Sequence, residues 1–295
     1  MTPRAIVTGA AGLIGQYFEK SASRWVPSWE VHGLRRADLD LTDHVAVERT
    51  WQSIKPDVVI HCAALSRTKD CEQDSQLARR INVEATAHLA RLSKDIPFIF
   101  LSSGEVFDGQ AGWYRETDEP NPINVYGKTK LEAERLVLQN PRHSVVRIVL
   151  TAGTSQNGDR SFVEDMCRTA ASGKSMTLYS DEFRCPLPAG GIARAIWELS
   201  RKNLPGLYHL GGRERLSRWE IGEALLSWYP ELQGRLMKGS ARCHTGAPRP
   251  ADLSLNCEKI QALLSFPIPG FQSWLKDRVH RGIDLWDYEP GCCEA

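Results

Sequence analysis

Five short apolar runs, separated by amphipathic stretches, restrict the fold of this chain more than any other feature. They are AIVT (5–8), WEVHGL (29–34), DVVIHCA (57–63), PFIFLSS (97–103) and SVVRIVL (144–150). Between them lie TDHVAVERTWQSI (42–54), DSQLARRINVEATAHLARLSK (74–94) and VYGKTKLEAERLVLQ (125–139). A strand that is apolar on both faces needs cover on both, and a helix following each strand supplies it. The pattern predicts an α/β fold with a doubly wound parallel sheet, whose ligands gather at the carboxyl ends of the strands. After about residue 150 the rhythm loosens into Gly-, Ser- and Asp-rich loops between single helical stretches. Residues 1–150 are therefore expected to form the main domain, with a later crossing near 188–204. Residues 151–295 are expected to form a smaller lobe against the carboxyl edge, ending in a loose tail, WDYEPGCCEA.

The net charge of +1 over 295 residues gives no reason to expect a nucleic-acid partner. No run approaches the roughly 18 apolar residues of a membrane span. The first residues, MTPRAIVTGA, enter a strand without a basic-then-apolar leader, so a cytoplasmic location with no membrane contact is expected. The eight cysteines (Cys62, Cys71, Cys167, Cys185, Cys243, Cys257, Cys292 and Cys293) include no C-x-x-C pair, and the histidines include no H-x-x-x-H pair. No metal site is expected; the thiols are read as mostly buried, with the last two exposed in the tail.

The first apolar run leads into GAAGLIG, with Gly9, Gly12 and Gly15 three apart and Leu13 and Ile14 opening a helical stretch. Glycines here permit a tight turn, close approach of backbone to a pyrophosphate, and close helix–sheet packing. The helix N-terminus then offers unpaired N–H groups to phosphate. The end of the second run distinguishes two cofactors: a carboxylate there holds a ribose 2′-hydroxyl, whereas arginine accommodates a 2′-phosphate. Arg35 and Arg36 stand there, with no acid before Asp38, so NADP(H) is favoured over NAD(H).

Farther on, LSSGEVFDG places Ser102 and Ser103 at the end of the fourth run, and VYGKTK places Tyr126 and Lys130 one helical turn apart. A phenol beside an ammonium is drawn toward phenolate and exchanges a proton with a carbonyl or hydroxyl oxygen. A serine hydroxyl beside it holds that oxygen. Ser103, Tyr126 and Lys130 are accordingly the candidate catalytic residues.

The spacing Gly9-x-x-Gly12-x-x-Gly15 followed by this serine–tyrosine–lysine order resembles the extended short-chain dehydrogenase/reductases, whose main domain is a Rossmann domain. PDVVIHCAALSRTKDCEQD, VFDGQAGWYRETDEPNPINVYGKTKLEAE, GLYHLGG and RPADLSLNCEKI resemble the dTDP-4-dehydrorhamnose reductase family nearly to residue 270. The resemblance implies hydride transfer from a nicotinamide to the C4 ketone of a nucleotide-linked deoxysugar. It makes Asp40 and Leu41 an adenine-contacting pair, Ala63 and Ala64 a small-residue stretch against the cofactor, and Asn82 a structural brace. It also suggests a homodimer paired through helices.

The same family includes a regulatory subunit of methionine adenosyltransferase, which makes a non-catalytic NADP-binding role the first alternative. An NAD-recycling sugar-nucleotide epimerase or dehydratase is the second. The chain departs from the reductase pattern at Gly104 and Glu105, where that family has Asp-Tyr, and at Leu150, where it has a substrate-facing tryptophan. Dehydratases carry Glu at the position of Glu105, but Gly104 lacks the acid beside it. Glu105, Leu150 and Arg184 are taken as substrate-facing, with Arg184 and Arg249 read either as ligands for an anion such as diphosphate or as salt-bridge partners. Trp113, Tyr114, Trp219 and Trp228 are expected to serve packing.

Overall fold

A computed structural model of the protein describes residues 2–281; the tail segment with Cys292 and Cys293 lies outside the described residues. One parallel sheet contains β1 (Arg4–Thr8), β2 (Glu30–Leu34), β3 (Val58–His61), β4 (Phe98–Ser103), β5 (Ser144–Ile148) and the strand Gly206–Leu210. Their order across the sheet is β2, β1, β3, β4, β5, then Gly206–Leu210. The chain runs outward from β1 to β2 and returns to β3 on the other side of β1. Winding thus reverses between β1 and β3, and a crevice opens beyond their carboxyl ends. Thr8 is level with both Leu34 and His61, so Gly9, Arg35 and Cys62 leave the sheet together.

The burial pattern explains the apolar runs. β3 and β4 are buried along their whole length and carry no polar alternation. β2, at the edge, is only half-buried. On one face Phe18 of α1 (Gly15–Trp25) meets Trp197 of the Ala189–Lys202 helix edge to face, 5.3 Å between ring centres. On the other, Ile6, Val59, Phe98 and Phe100 pack with Val47, Leu89, Ala133 and Val137 from the helices.

The stretch 74–94 is not one continuous α-helix. It runs as Ser75–Arg79, a π-helical turn at Arg80–Glu84, and Ala85–Leu92. Asn82 sits in that turn. Its carboxamide accepts from the Leu65 N–H (2.8 Å) and donates to the Leu65 carbonyl and the Thr129 hydroxyl (both 3.0 Å). It therefore ties the loop after β3 to the Val125–Val137 helix that carries Tyr126 and Lys130.

After β5 the chain leaves the sheet, returns for the Ala189–Lys202 helix and the Gly206–Leu210 strand, and leaves again. The excursions meet in two-stranded pairings: Phe183–Arg184 with Leu216–Ser217, and Met176–Tyr179 with Leu236–Gly239. Capping boxes at Ser161 and Ser217 start the helices Phe162–Ala171 and Arg218–Leu225, each satisfying two otherwise open N–H groups. Among the described residues no helix is long and apolar enough to cross a membrane, and no cluster of three or more potential metal ligands occurs.

Candidate active site

The glycine turn is built by backbone contact. Gly9 lies in the left-handed region (φ +70°), and its carbonyl accepts from the Gly12 N–H at 2.8 Å. A Cβ at Gly9 would stand 2.7 Å from the Ala63 nitrogen across the crevice, and one at Gly15 only 2.1 Å from the Gly9 oxygen. A Cβ at Gly12 would meet that same oxygen at 3.0 Å. Ile14 takes the cap position of α1 without a capping side chain; the Gln16 and Tyr17 N–H groups are used by the Gly12 and Ile14 carbonyls, so the approach to a ligand comes from the turn leading into Gly15. Leu13 packs toward Gly153, and both it and Ile14 lie against the core. These features fit a dinucleotide pyrophosphate.

Behind the turn a hydrogen-bonded chain joins β1 to β3. The Thr86 hydroxyl donates to the Asn82 carbonyl at 2.8 Å, so at 2.9 Å from it the His61 Nε2 must be the donor. His61 Nδ1 then accepts from the Thr8 hydroxyl (2.6 Å), which itself accepts from the Ala63 N–H (3.3 Å). This wiring demands a neutral imidazole, and burial followed by the nearby Lys130 charge pushes His61 down to about 3. Ala63 and Ala64 are thereby held at the crevice, half-buried.

At the tip of β2 the twin arginines differ. Arg35 is engaged: one guanidinium nitrogen meets Glu19 of α1 at 2.7 Å and the other lies 3.8 Å from Asp38. Arg36 is exposed and forms no ion pair among the described residues. Asp40 accepts from the N–H and hydroxyl of Thr42, which hold its carboxyl below the usual range. Leu41 packs with Leu39 against the core beneath β1.

Ser103, Glu105, Tyr126, Leu150 and Arg184 line one cavity of about 160 Å³, together with Ser66 and Thr68, which the sequence did not single out. Asn124 supports the site twice: its oxygen accepts from the Gly127 N–H and caps the helix that carries Tyr126, and its nitrogen donates to Glu105 at 2.8 Å. The Tyr126 phenol is pushed up, chiefly by burial and further by the charge of Glu105, against a hydrogen bond with Ser103 that pulls it down. Lys130 does not draw the phenol toward phenolate in this arrangement. Its amine donates to the Leu101 carbonyl at 2.7 Å and lies 3.9 Å from the centre of the Phe100 ring. Burial pushes Lys130 down to about 7, against the favourable charge of Glu134 one turn along the helix.

Glu134 forms a fully buried pair with Arg147 of β5 at 2.7 Å, and the Arg147 guanidinium meets His209 Nε2 at 3.3 Å. The other nitrogen of His209 faces the Tyr114 carbonyl (3.0 Å), which places the proton on Nδ1. Protonation of Nε2 would oppose the guanidinium, and burial with that repulsion pushes His209 down to about 3. The i,i+4 spacing of Lys130 and Glu134 was visible in the sequence, but not the partner on β5.

Glu182, also missed, organises the charges around Arg184. Only 1 % exposed, it meets Arg184 at 3.2 Å and Arg249 through both nitrogens of a bidentate contact at 2.7 and 2.8 Å. Burial works to raise its carboxyl, but Arg249, Arg184 and Arg218 prevail and hold it low. Burial pushes Arg218 down to about 10. Glu105 is a second negative charge acting on Arg184 and Arg249. Three guanidinium groups thus face Glu182 and Glu105, and Asp252, paired with Arg215 at 2.7 Å, also acts on Arg184. Of the aromatic residues, Tyr114 stacks on Phe107 at 4.0 Å and Trp219 and Trp228 pack against the core. Trp113 departs from the expectation: it is 49 % exposed, at φ +50°. Its backbone N–H donates to the Ser254 hydroxyl at 2.6 Å, and the next residue, Tyr114, is anchored through its phenol to Asp108 at 2.8 Å.

The doubly wound sheet with its glycine turn at the switch point is the NAD(P)-binding fold of the extended short-chain dehydrogenases/reductases. The chain belongs to the RmlD substrate binding domain family, whose model matches residues 3–282. It is 33 % identical over 276 residues to methionine adenosyltransferase 2 subunit beta of Xenopus laevis, covering 88 % of this chain and 82 % of that one. It is 29 % identical over 284 residues to dTDP-4-dehydrorhamnose reductase of Sinorhizobium fredii, covering 91 % and 94 %. Among solved structures, dTDP-4-dehydrorhamnose reductase of Bacillus anthracis in complex with NADP superposes with a TM-score of 0.87 at 24 % identity, covering 96 % of this chain and all of that one.

Proposed function

We propose that this protein is an NADP(H)-preferring reductase of a ketone on a nucleotide-linked deoxysugar, a C4 ketone by analogy with its reductase relatives. The observation that carries the reading is the meeting of Ser103 and Tyr126 in one cavity, at the carboxyl edge that also holds the glycine turn. A bound nicotinamide supplies the hydride. Ser103 holds the ketone oxygen, and Tyr126 gives its phenolic proton to that oxygen as the carbonyl becomes an alcohol. The phenol pushed up by burial keeps its proton at neutral pH, which is the form that can give that proton to the ketone oxygen. Lys130 lies one turn along the same helix, buried, with its amine on the Leu101 carbonyl and its ammonium form disfavoured by burial.

The cavity is smaller than the roughly 300 Å³ of a typical small-molecule pocket and suits only the reacting end of such a substrate. The excess guanidinium charge at Arg184, Arg218 and Arg249 suits a diphosphate beyond it. Segments 151–188 and 211–281 act as the substrate lobe in this reading. A dehydratase role is disfavoured, because a Cβ at Gly104 would stand 2.7 Å from Val149, leaving no space for the missing acid without rearrangement.

The test follows NADPH absorbance with a panel of nucleotide-linked keto sugars. Tyr126→Phe is expected to lower kcat about 10²–10⁴-fold while leaving NADPH affinity nearly unchanged. Unaltered turnover in this variant removes Tyr126 from the reaction.

The similarity to the methionine adenosyltransferase subunits supports a second reading, a regulatory partner that holds the dinucleotide without turnover. Mixing the chain with a methionine adenosyltransferase catalytic subunit distinguishes the two. Co-elution with a changed KM, and no oxidation of NADPH by any sugar, favours regulation.

A further inference from the structure

The sequence offers no carboxylate at the end of β2, but the fold delivers one from another element. Glu19, one turn into α1, lays its carboxylate over Gly33: a Cβ built there would stand 2.2 Å from the Glu19 oxygen. From that seat Glu19 holds the Arg35 guanidinium at 2.7 Å. Arg35 also donates from its other terminal nitrogen to the Gly33 carbonyl (3.4 Å), and its backbone N–H is held by Asp38 at 3.0 Å. One of the two arginines that suggested a 2′-phosphate site is therefore already neutralised.

We infer that Glu19 is a cofactor-specificity residue: by occupying Arg35 and placing a carboxylate at the tip of β2, it admits NAD(H) and moderates the preference for NADP(H). The inference rests on the dinucleotide reading above. A ribose 2′-hydroxyl is neutral and can donate to a carboxylate, which is the usual device of NAD-selective sites. A 2′-phosphate carries negative charge, is repelled by Glu19 and Asp38, and must draw Arg35 away or rely on Arg36. Gly33 has a part in this, because only a residue without a side chain leaves room for the Glu19 carboxylate. Its φ is not in the left-handed region, so alanine fits the backbone and would push the flexible glutamate aside.

The test measures dissociation constants of the full chain for NADPH and NADH by calorimetry, with no turnover required. Glu19→Gln is expected to raise the NADPH-over-NADH affinity ratio about fivefold, the upper range for an exposed ion pair. Gly33→Ala should move the ratio in the same direction without altering Glu19 chemically. Arg36→Ala should weaken NADPH about tenfold or more and leave NADH nearly unchanged, as loss of a charge-assisted contact requires. Adding Arg35→Ala to Glu19→Gln should cancel the gain. Both nucleotides binding with an unchanged ratio in Glu19→Gln and Gly33→Ala overturns the inference alone. Failure of the wild-type chain to bind either nucleotide overturns the dinucleotide reading as well.

Discussion

The glycine turn and the arginine cluster lie at the same carboxyl edge of one sheet, yet they are constructed in opposite ways. The turn is made of backbone from residues near in sequence, pressed against one neighbouring strand: Gly9, Gly12 and Gly15 contact each other and Ala63. The cluster is made of side-chain charge from separated segments: Glu182 and Arg184, Arg218, Arg249, and Glu105 with its Asn124 support. A backbone site is specified by the absence of side chains and tolerates none. A charge cluster depends on a balance that any one member can upset. In the proposed function the turn meets the cofactor and leaves little freedom, and the cluster meets the substrate and can be retuned one residue at a time.

The largest effect should come from the charge cluster. Glu182→Ala leaves buried Arg184 without its ion partner, and losing one member of a buried pair costs about 3–5 kcal/mol. Urea unfolding should show this, and the stability should return in part with diphosphate or another anion that takes the carboxylate's place. Full stability in Glu182→Ala would mean that the arginines do not depend on it.

Next is the turn. Gly15→Ala forces a Cβ to within 2.1 Å of the Gly9 oxygen, and overpacking of this kind costs about 1–3 kcal/mol. Calorimetry should find dinucleotide affinity lost while the response to anions at the arginine cluster persists. Loss of both together would show that the two halves are one cooperative unit.

The change of smallest stoichiometry, one bound proton, concerns two buried histidines. His61 under the turn and His209 behind Arg147 are held to about 3, below their ordinary value of 6.5. Between these values the unfolded chain binds protons that the native chain refuses. Stability is therefore greatest above pH 6.5 and falls as the pH drops toward 3. Each histidine adds a slope approaching about 1.4 kcal/mol per pH unit. His209→Gln should remove one proton from that slope in urea titrations between pH 6.5 and 5, above the range where most carboxylates titrate. An unchanged slope would show that His209 accepts a proton in the native state.

Sequence legibility follows the same division. The five apolar runs gave the sheet its five leading strands, because a strand buried on both faces has no polar alternation. The glycine spacing, Ser103, Tyr126 and Lys130 were readable because each lies just past a strand or within one helical turn, where local geometry fixes relative placement. The π-helical turn around Asn82 was not readable: the residues of 74–94 are ordinary helix formers, and only the contacts of Asn82 with Leu65 and Thr129 reveal its purpose. Nor was the state of Tyr126 and Lys130. Their spacing suggested an ammonium tuning a phenol, whereas burial turns the amine to the Leu101 carbonyl and raises the phenol instead.

By itself the sequence determined the fold type, the glycine turn and the chain order of the candidate catalytic groups, since all of these depend on local periodicity and on glycine's missing side chain. Only the tertiary structure decided the charges. Whether Arg35 is available, whether Glu182 is shared and whether His61 is neutral depend on groups brought together from 16 to 67 residues away. Electrostatic interactions are set by distance in space and by burial, and neither is written in the spacing of residues along a chain.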